Sequence, residues 1–272
     1  MGIFATMKHI RLSQLALIAL ATPAVAQSPI LGLDSIDVIS GWRQADGSQI
    51  AAVDIKLEKG WKTYWRVAGG GGVPPQFDWS RSENIARFEI KWPAPKVFYD
   101  YGQETIGYKD KFVLPIVFYP IDATKPMNLD GTMDFGVCEN VCVPVRSNLS
   151  ARLPARVTVG KSTIQTALKK QAISGKAAGV TVTNCAFQPI KGGFEIQADL
   201  KSNKNFHAKA IGVVEYPSGS DDWLQQQPSK VSQNQLTANA ILYAKDVAFI
   251  DRSKLRVTVL QNGKAIELLG CS

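Results

Sequence analysis

The chain has 272 residues, of which 45% are hydrophobic and 20% charged, with a formal net charge of +8. Setting aside the first 26 as a leader leaves about 246 residues, enough for two ordinary domains or one large β domain, and lowers the charge to about +6. That moderate balance, secretion and the lack of any recognition motif exclude nucleic acid as a partner.

Residues 1–26 read as a signal peptide. Lys8 and Arg11 form a basic start, Leu15 to Ala21 an apolar middle, and Ala24-Val25-Ala26 a small-residue cleavage site before Gln27. The apolar run is too short for an ordinary transmembrane helix, and nothing later replaces it. A secreted destination follows, where disulfides persist and four cysteines acquire chemical meaning.

From residue 40 the pattern is that of short strands. Val53, Ile55 and Leu57 alternate with Asp54, Lys56 and Glu58, and Phe88, Ile90 and Trp92 alternate with Glu89 and Lys91, so each strand has one wet face. Lys111 to Ile121 is apolar on both faces, as in a doubly covered strand, while Pro115 argues for a sheet edge or a bulge. Ala68-Gly69-Gly70-Gly71-Gly72-Val73-Pro74-Pro75 is a loop; it lacks the Lys-Ser/Thr and following helix of a phosphate cradle. Five of the six tryptophans fall in the first 92 residues, where core and sheet packing account for most of them.

The next element organises the rest. Asp134 to Pro144 carries Cys138 and Cys142, separated by three residues, in an apolar run. One helical turn or a tight hairpin would bring them together. The β-formers Phe135, Val137, Val141, Val143 and Val145, with Pro144, favour the hairpin, and Asn140 suits a left-handed loop position. A bond across so short a loop removes little chain entropy, so chemistry explains the pair better than stapling, although a loop-rigidifying clip stays open. Zinc would need four ligands, and only Cys185, Cys271 and His207 remain in the secreted chain, with no second closely spaced pair. No metal site is expected.

Phe135-Gly136-Val137-Cys138 through Cys142-Val143-Pro144, preceded by Gly60-Trp61-Lys62-Thr63-Tyr64-Trp65, Val73-Pro74-Pro75-Gln76-Phe77-Asp78-Trp79 and Trp92-Pro93-Ala94-Pro95, resembles the N-terminal periplasmic domain of DsbD and ScsB thiol:disulfide interchange proteins. The resemblance covers about residues 40–155 and continues only in outline beyond. It implies a protein-disulfide reductase type of activity, with Cys138 and Cys142 as the catalytic couple and no cofactor. It also implies an aromatic cap over the couple, for which Phe98, Tyr99 and Tyr101 are candidates. Its implied partners are a membrane-embedded thiol electron transporter and periplasmic thioredoxin-like or other disulfide-containing proteins. Since no transmembrane part or terminal thioredoxin-like domain is seen here, the transporter is expected as a separate chain.

Between Glu139 and Glu195 there is no acidic residue, while Arg146, Arg152, Arg156, Lys161, Lys169, Lys170, Lys176 and Lys191 occur. The block would suit anionic lipid or an acidic partner, and a solvated linker and helix face is the plainer reading. Ser162-Thr163-Ile164-Gln165 has the form of a capping box, predicting a helix from about Ser162 to Ile173. Strand signals return at Val180-Thr181-Val182, Phe194-Glu195-Ile196, Ile211 to Tyr216, Ala240 to Tyr243 and Leu255 to Leu260, with Asn262-Gly263 as a hairpin turn. A Cys185–Cys271 bond would close a loop of about 86 residues, worth about 4–5 kcal/mol on the entropic model. Pairing either with Cys138 or Cys142 would strand a lone thiol. His207 lacks any nucleophile-elbow context and reads as a surface or turn residue.

The expected fold is therefore all-β: two immunoglobulin-like β-sandwich domains, at 27–160 and 177–272, joined by a helical linker at 161–176. Two functions fit. One is periplasmic thiol–disulfide interchange through Cys138 and Cys142; the other is a secreted binding or assembly module whose disulfides are purely structural.

Overall fold

The computed structural model describes residues 1–2, 30–100, 102–154, 156, 158–217, 222–244 and 249–271. The leader at 1–26 and the cap candidate Tyr101 lie almost wholly and wholly outside the described residues.

The first half forms two facing sheets. Strands β1 (Leu33–Arg43), β2 (Gln49–Leu57), β3 (Lys62–Gly69), β4 (Gln76–Asp78), β5 (Ile85–Ile90), β6 (Lys96–Asp100), β7 (Gln103–Lys109), β8 (Lys111–Pro120), β9 (Met127–Cys138) and β10 (Cys142–Leu153) follow in order. One sheet runs β1-β2-β8-β5 and the other β10-β9-β3-β7-β6, with β4 also paired to β9. Between them Val53, Ile55, Ile116, Phe118, Met133, Phe135, Val145 and Leu149 interdigitate, and the Trp79 ring meets Phe118 edge-on at 5.2 Å. Period-two alternation sends these residues inward from every strand, which makes the pair a sandwich.

Helix α1 (Lys161–Leu168) lies on the outside of the first sheet, packing Ile164 against Ile50, Ala52 and Val117. That cover explains why β8 is apolar on both faces. The helix is shorter than its periodicity predicts, and the capping box does not form. Gly160, in a left-handed conformation, is the N-cap and no side chain caps the first turn. Ile173–Ser174 instead becomes a short strand, β11, because it pairs in parallel with β18 (Lys264–Leu269); a second helix, α2 (Gly175–Ala178), follows it.

Pro115 also behaves differently from expectation, since β8 lies between β2 and β5 and not at an edge. Its carbonyl accepts from the Lys91 N–H at 2.8 Å, just past the end of β5 at Ile90. A residue's N–H and C=O point to the same side of a strand, so the donor Pro115 lacks falls where β5 is ending.

The second half repeats the architecture with β12 (Val180–Ile190), β13 (Gly193–Ser202), β14 (Ile211–Glu215), β15 (Trp223–Ser232), β16 (Gln235–Tyr243) and β17 (Arg256–Gln261). Its sheets are β11-β18-β17-β14 and β12-β13-β16-β15, closed over Ile196, Leu200, Leu236, Leu242, Val257 and Val259. Asn262 and Gly263 both take positive φ, 49° and 68°, between β17 and β18, as a two-residue primed turn requires. The two halves meet where Trp65, Ile106 and Tyr108 pack on Ile211, Val213, Leu260 and Ala265. Beside that contact, Arg66 Nε lies 2.9 Å from Glu215 Oε2 and its Nη2 3.0 Å from Glu267 Oε2.

Candidate functional site

Strands β9 and β10 form one uninterrupted hairpin from Met127↔Leu153 to Cys138↔Cys142, so the two cysteines face each other at its closing end. Their Cα atoms are 4.2 Å apart and their sulfurs are bonded across a three-residue loop. The loop closes without a left-handed Asn140, which is absent from the positive-φ residues; the Glu139 N–H donates to the Val141 carbonyl at 3.1 Å across it. The two sulfurs are unequal, because Cys138 is only 1% exposed while Cys142 stands at the surface.

Strand β3 supplies the cover. It joins β9 at Lys62↔Cys138 and Thr63↔Val137, and the Thr63 hydroxyl donates to the Gly136 carbonyl at 2.8 Å. Two residues on from Lys62 and on the same face, Tyr64 is 3% exposed, with its hydroxyl oxygen 3.7 Å from Cys142 Sγ. Tyr64, Ala68 and Cys138 form one small buried cluster. The glycine loop lies on this cluster. A Cβ on Gly72 would come within 2.6 Å of the Tyr64 ring, so this stacking needs glycine there, and one on Gly136 would crowd Val73 Cβ at 3.1 Å. The Gly70 N–H holds the loop to the Glu104 carbonyl at 2.9 Å.

The aromatic cap candidates sit farther out. The Phe98 ring lies 5.5 Å from Lys62 Nζ and 5.8 Å from Lys109 Nζ, so it meets the site through Lys62. Tyr99 is 60% exposed and bonds Glu104; burial, then that carboxylate, raises its hydroxyl pKa, and burial likewise raises that of Glu104. Arg146 does not reach the sulfurs. It is four residues along β10 from Cys142, about 13 Å at the rise of a strand, and forms a two-bond pair with Asp134 at 2.6 and 2.8 Å. That hydrogen bonding holds the Asp134 carboxyl below the usual carboxylate range.

Reading the sequence singled out neither Tyr64 nor Lys62, although both lie inside Gly60-Trp61-Lys62-Thr63-Tyr64-Trp65. Their signal was the alternation Lys62, Tyr64 against Trp61, Thr63, which puts a cation and a phenol together on the face away from the sandwich core. A bonded sulfur pair with one exposed and one buried partner, beneath a tyrosine hydroxyl, is suited to thiol chemistry.

The remaining candidates are placed elsewhere. Cys185 and Cys271 are joined, with Cα atoms 6.1 Å apart, both buried in the second core. His207 is exposed in a turn, its Nδ1 accepting from the Lys209 N–H at 3.2 Å. Among the described residues no helix is long and apolar enough to cross a membrane.

Residues 36–154 match the family model described as thiol:disulfide interchange protein DsbD, N-terminal. A solved structure, the N-terminal periplasmic domain of ScsB from Proteus mirabilis, superposes with a TM-score of 0.62 at 22% identity, over 88% of this chain and 95% of that one. No curated protein sequence matches.

Proposed function

We propose that this chain, whose residues 36–154 match the DsbD N-terminal family model, exchanges dithiol for disulfide through Cys138 and Cys142 in the periplasm. The observation that carries the proposal is the inequality of the two sulfurs. Exchange proceeds by in-line attack on one sulfur with the other leaving, so a useful couple exposes one and protects its neighbour. Cys142 is the exposed sulfur and Cys138 the protected one.

In the reducing direction, the Cys142 thiolate attacks a partner's disulfide and forms a mixed disulfide, releasing one partner thiolate. Cys138 then attacks Cys142, restoring the internal bond and releasing the partner as a dithiol, with two electrons passed. Electrons would come from a membrane-embedded thiol transporter and go to periplasmic thioredoxin-like or other disulfide-containing proteins. The cap in this reading is the glycine loop resting on Tyr64, with Phe98 one layer behind; it covers Cys138 and leaves Cys142 open to a partner. The second sandwich, 177–272, acts as a separate domain that braces β3 through Trp65 and Arg66.

Trapping tests this. Cys138→Ser removes the resolving thiol, so Cys142 should accumulate a mixed disulfide with periplasmic proteins, lost on reduction. A Cys138→Ser protein that is folded and reduced yet forms no such adduct, under conditions where a small-molecule disulfide does react, rejects the proposal.

A further inference from the structure

A cleft of about 740 Å³ opens where the first sandwich, helix α1 and the β17–β18 turn of the second sandwich meet, and no residue of the cysteine hairpin lines it. Its size is that of a small-molecule site, and such sites favour domain junctions. Tyr108 and Phe112, their rings stacked at 4.2 Å, give it a flat apolar surface. Its walls are tied to one another before any ligand arrives. The Tyr108 hydroxyl donates to the Pro93 carbonyl at 2.8 Å, and the Ala94 N–H donates to the Lys170 carbonyl at 2.7 Å. Those two bonds join β7, the segment ahead of β6 and the end of α1, so little ordering is left for a ligand to impose.

The charge lining this cleft is of one sign. Lys96 from β6, Lys109 from β7, Lys111 from β8 and Lys170 just past α1 contribute to it, and among the described residues no Asp or Glu does. Lys111 is partly answered from outside by Asp54 at 3.2 Å, and Lys109 lies 5.8 Å from the Phe98 ring. Lys96 and Lys170 are exposed, and Lys170 belongs to the run without acidic residues between Glu139 and Glu195. The contact between the two halves beside Trp65 is built differently, because there Arg66 is neutralised by Glu215 and Glu267. A seam made only for stability would pair its cations in that way. A cleft lined by one sign instead concentrates ions of the other.

From this lining we propose that the cleft binds a small organic anion, with a flat apolar body along Tyr108 and Phe112 and a carboxylate or phosphate held by Lys96 and Lys170. The inference goes beyond the exchange reading and does not depend on it. Both parts of the ligand are needed. Exposed ammonium groups alone hold an anion weakly in salt, and the aromatic surface alone gives no preference for charge. The hydroxyls of Ser162 and Thr163, which also line the cleft, supply further hydrogen-bond donors to the acidic group.

The test is calorimetric titration of the whole protein, both disulfides intact, with three probes: 2-naphthyl phosphate, 2-naphthol and inorganic phosphate. The naphthyl phosphate should bind with one-to-one stoichiometry, roughly tenfold or more tighter than either of the others, and weaken severalfold as salt is raised. Lys96→Gln combined with Lys170→Gln should cost about fivefold or more in its affinity, with thermal unfolding unchanged because both side chains are exposed. Thr166→Trp, which fills the cleft from α1, should abolish binding. Three results overturn the inference: no binding of naphthyl phosphate, equally tight binding of naphthol or phosphate alone, or unchanged affinity in the folded double lysine variant. The titration needs no thiol chemistry, so its failure and the failure of trapping through Cys138→Ser are separate.

Discussion

The two disulfides of this chain differ in loop length, in what they tie together and in burial. Cys185–Cys271 joins residues 86 apart, ties β12 of one sheet to the end of β18 in the other, and is buried at both sulfurs. Cys138–Cys142 joins residues 4 apart, at the end of a ladder that already holds their strands together, and exposes one sulfur. On the entropic model the first constrains the unfolded chain by about 4–5 kcal/mol and the second by about 2 kcal/mol. The comparison teaches that the proposed exchange function falls to the bond that adds little to stability and has one partner at the surface.

The sharpest way to break this contrast is to remove each pair in turn. Cys138→Ser and Cys142→Ser should each abolish turnover of disulfide exchange, while thermal unfolding moves little. Replacing Cys185 and Cys271 with Ala should do the reverse, lowering stability by about 2–5 kcal/mol with exchange intact. Loss of exchange in the second variant without loss of stability would mean that the roles are reversed.

Smaller effects test what holds the site in place. Arg66→Ala removes the ion pairs to Glu215 and Glu267 beside the contact between the two halves. It should cost about 1–2 kcal/mol, being partly buried, and denaturant unfolding should then show the two sandwiches separating into distinct transitions. Tyr64→Ala uncovers Cys138, so alkylation of the reduced protein at Cys138 should accelerate severalfold. Phe98→Ala should change that rate less, because its ring touches Lys62 and not the sulfurs; an equal acceleration would move the cap to Phe98. Arg146→Ala is the smallest. Asp134 should then titrate nearer the ordinary carboxylate range, with exchange unchanged. A depressed carboxyl pKa stabilises the fold above its unfolded value and loses that effect as pH falls, so whatever this exposed pair contributes disappears only in acid.

Much of this contrast was legible in the sequence, for physical reasons. Period-two alternation at Val53, Ile55 and Leu57 and the dipeptide Asn262-Gly263 are local signals, and the sandwich follows from them. The hairpin at Cys138 and Cys142 was readable because β-formers and Pro144 leave the pair no helix to stack on. Other features depended on distant partners. Ile173–Ser174 becomes a strand only because β18 lies beside it, ending the helical periodicity early. Pro115 is tolerated inside a sheet only because β5 stops at Ile90. Strand β15 was hidden by its polar glutamines and Pro228, which an edge strand accepts at the register shift between Gln227 and Lys230. Tyr64 and Lys62 were masked by a tryptophan-rich neighbourhood that reads as core. Their role depends on the β3–β9 register, which no local pattern encodes.

The central claim is that only one of the two bonds is poised for exchange, and the most direct measurement is the reduction potential of each within the same protein. Equilibrating the native protein against graded thiol–disulfide buffers, followed by alkylation and peptide mass analysis, reads both bonds at once. The account predicts that Cys138–Cys142 opens at a potential above about −300 mV, while Cys185–Cys271 stays closed until the buffer is well below that value. Both bonds opening together below about −300 mV, or Cys185–Cys271 opening first, would contradict it.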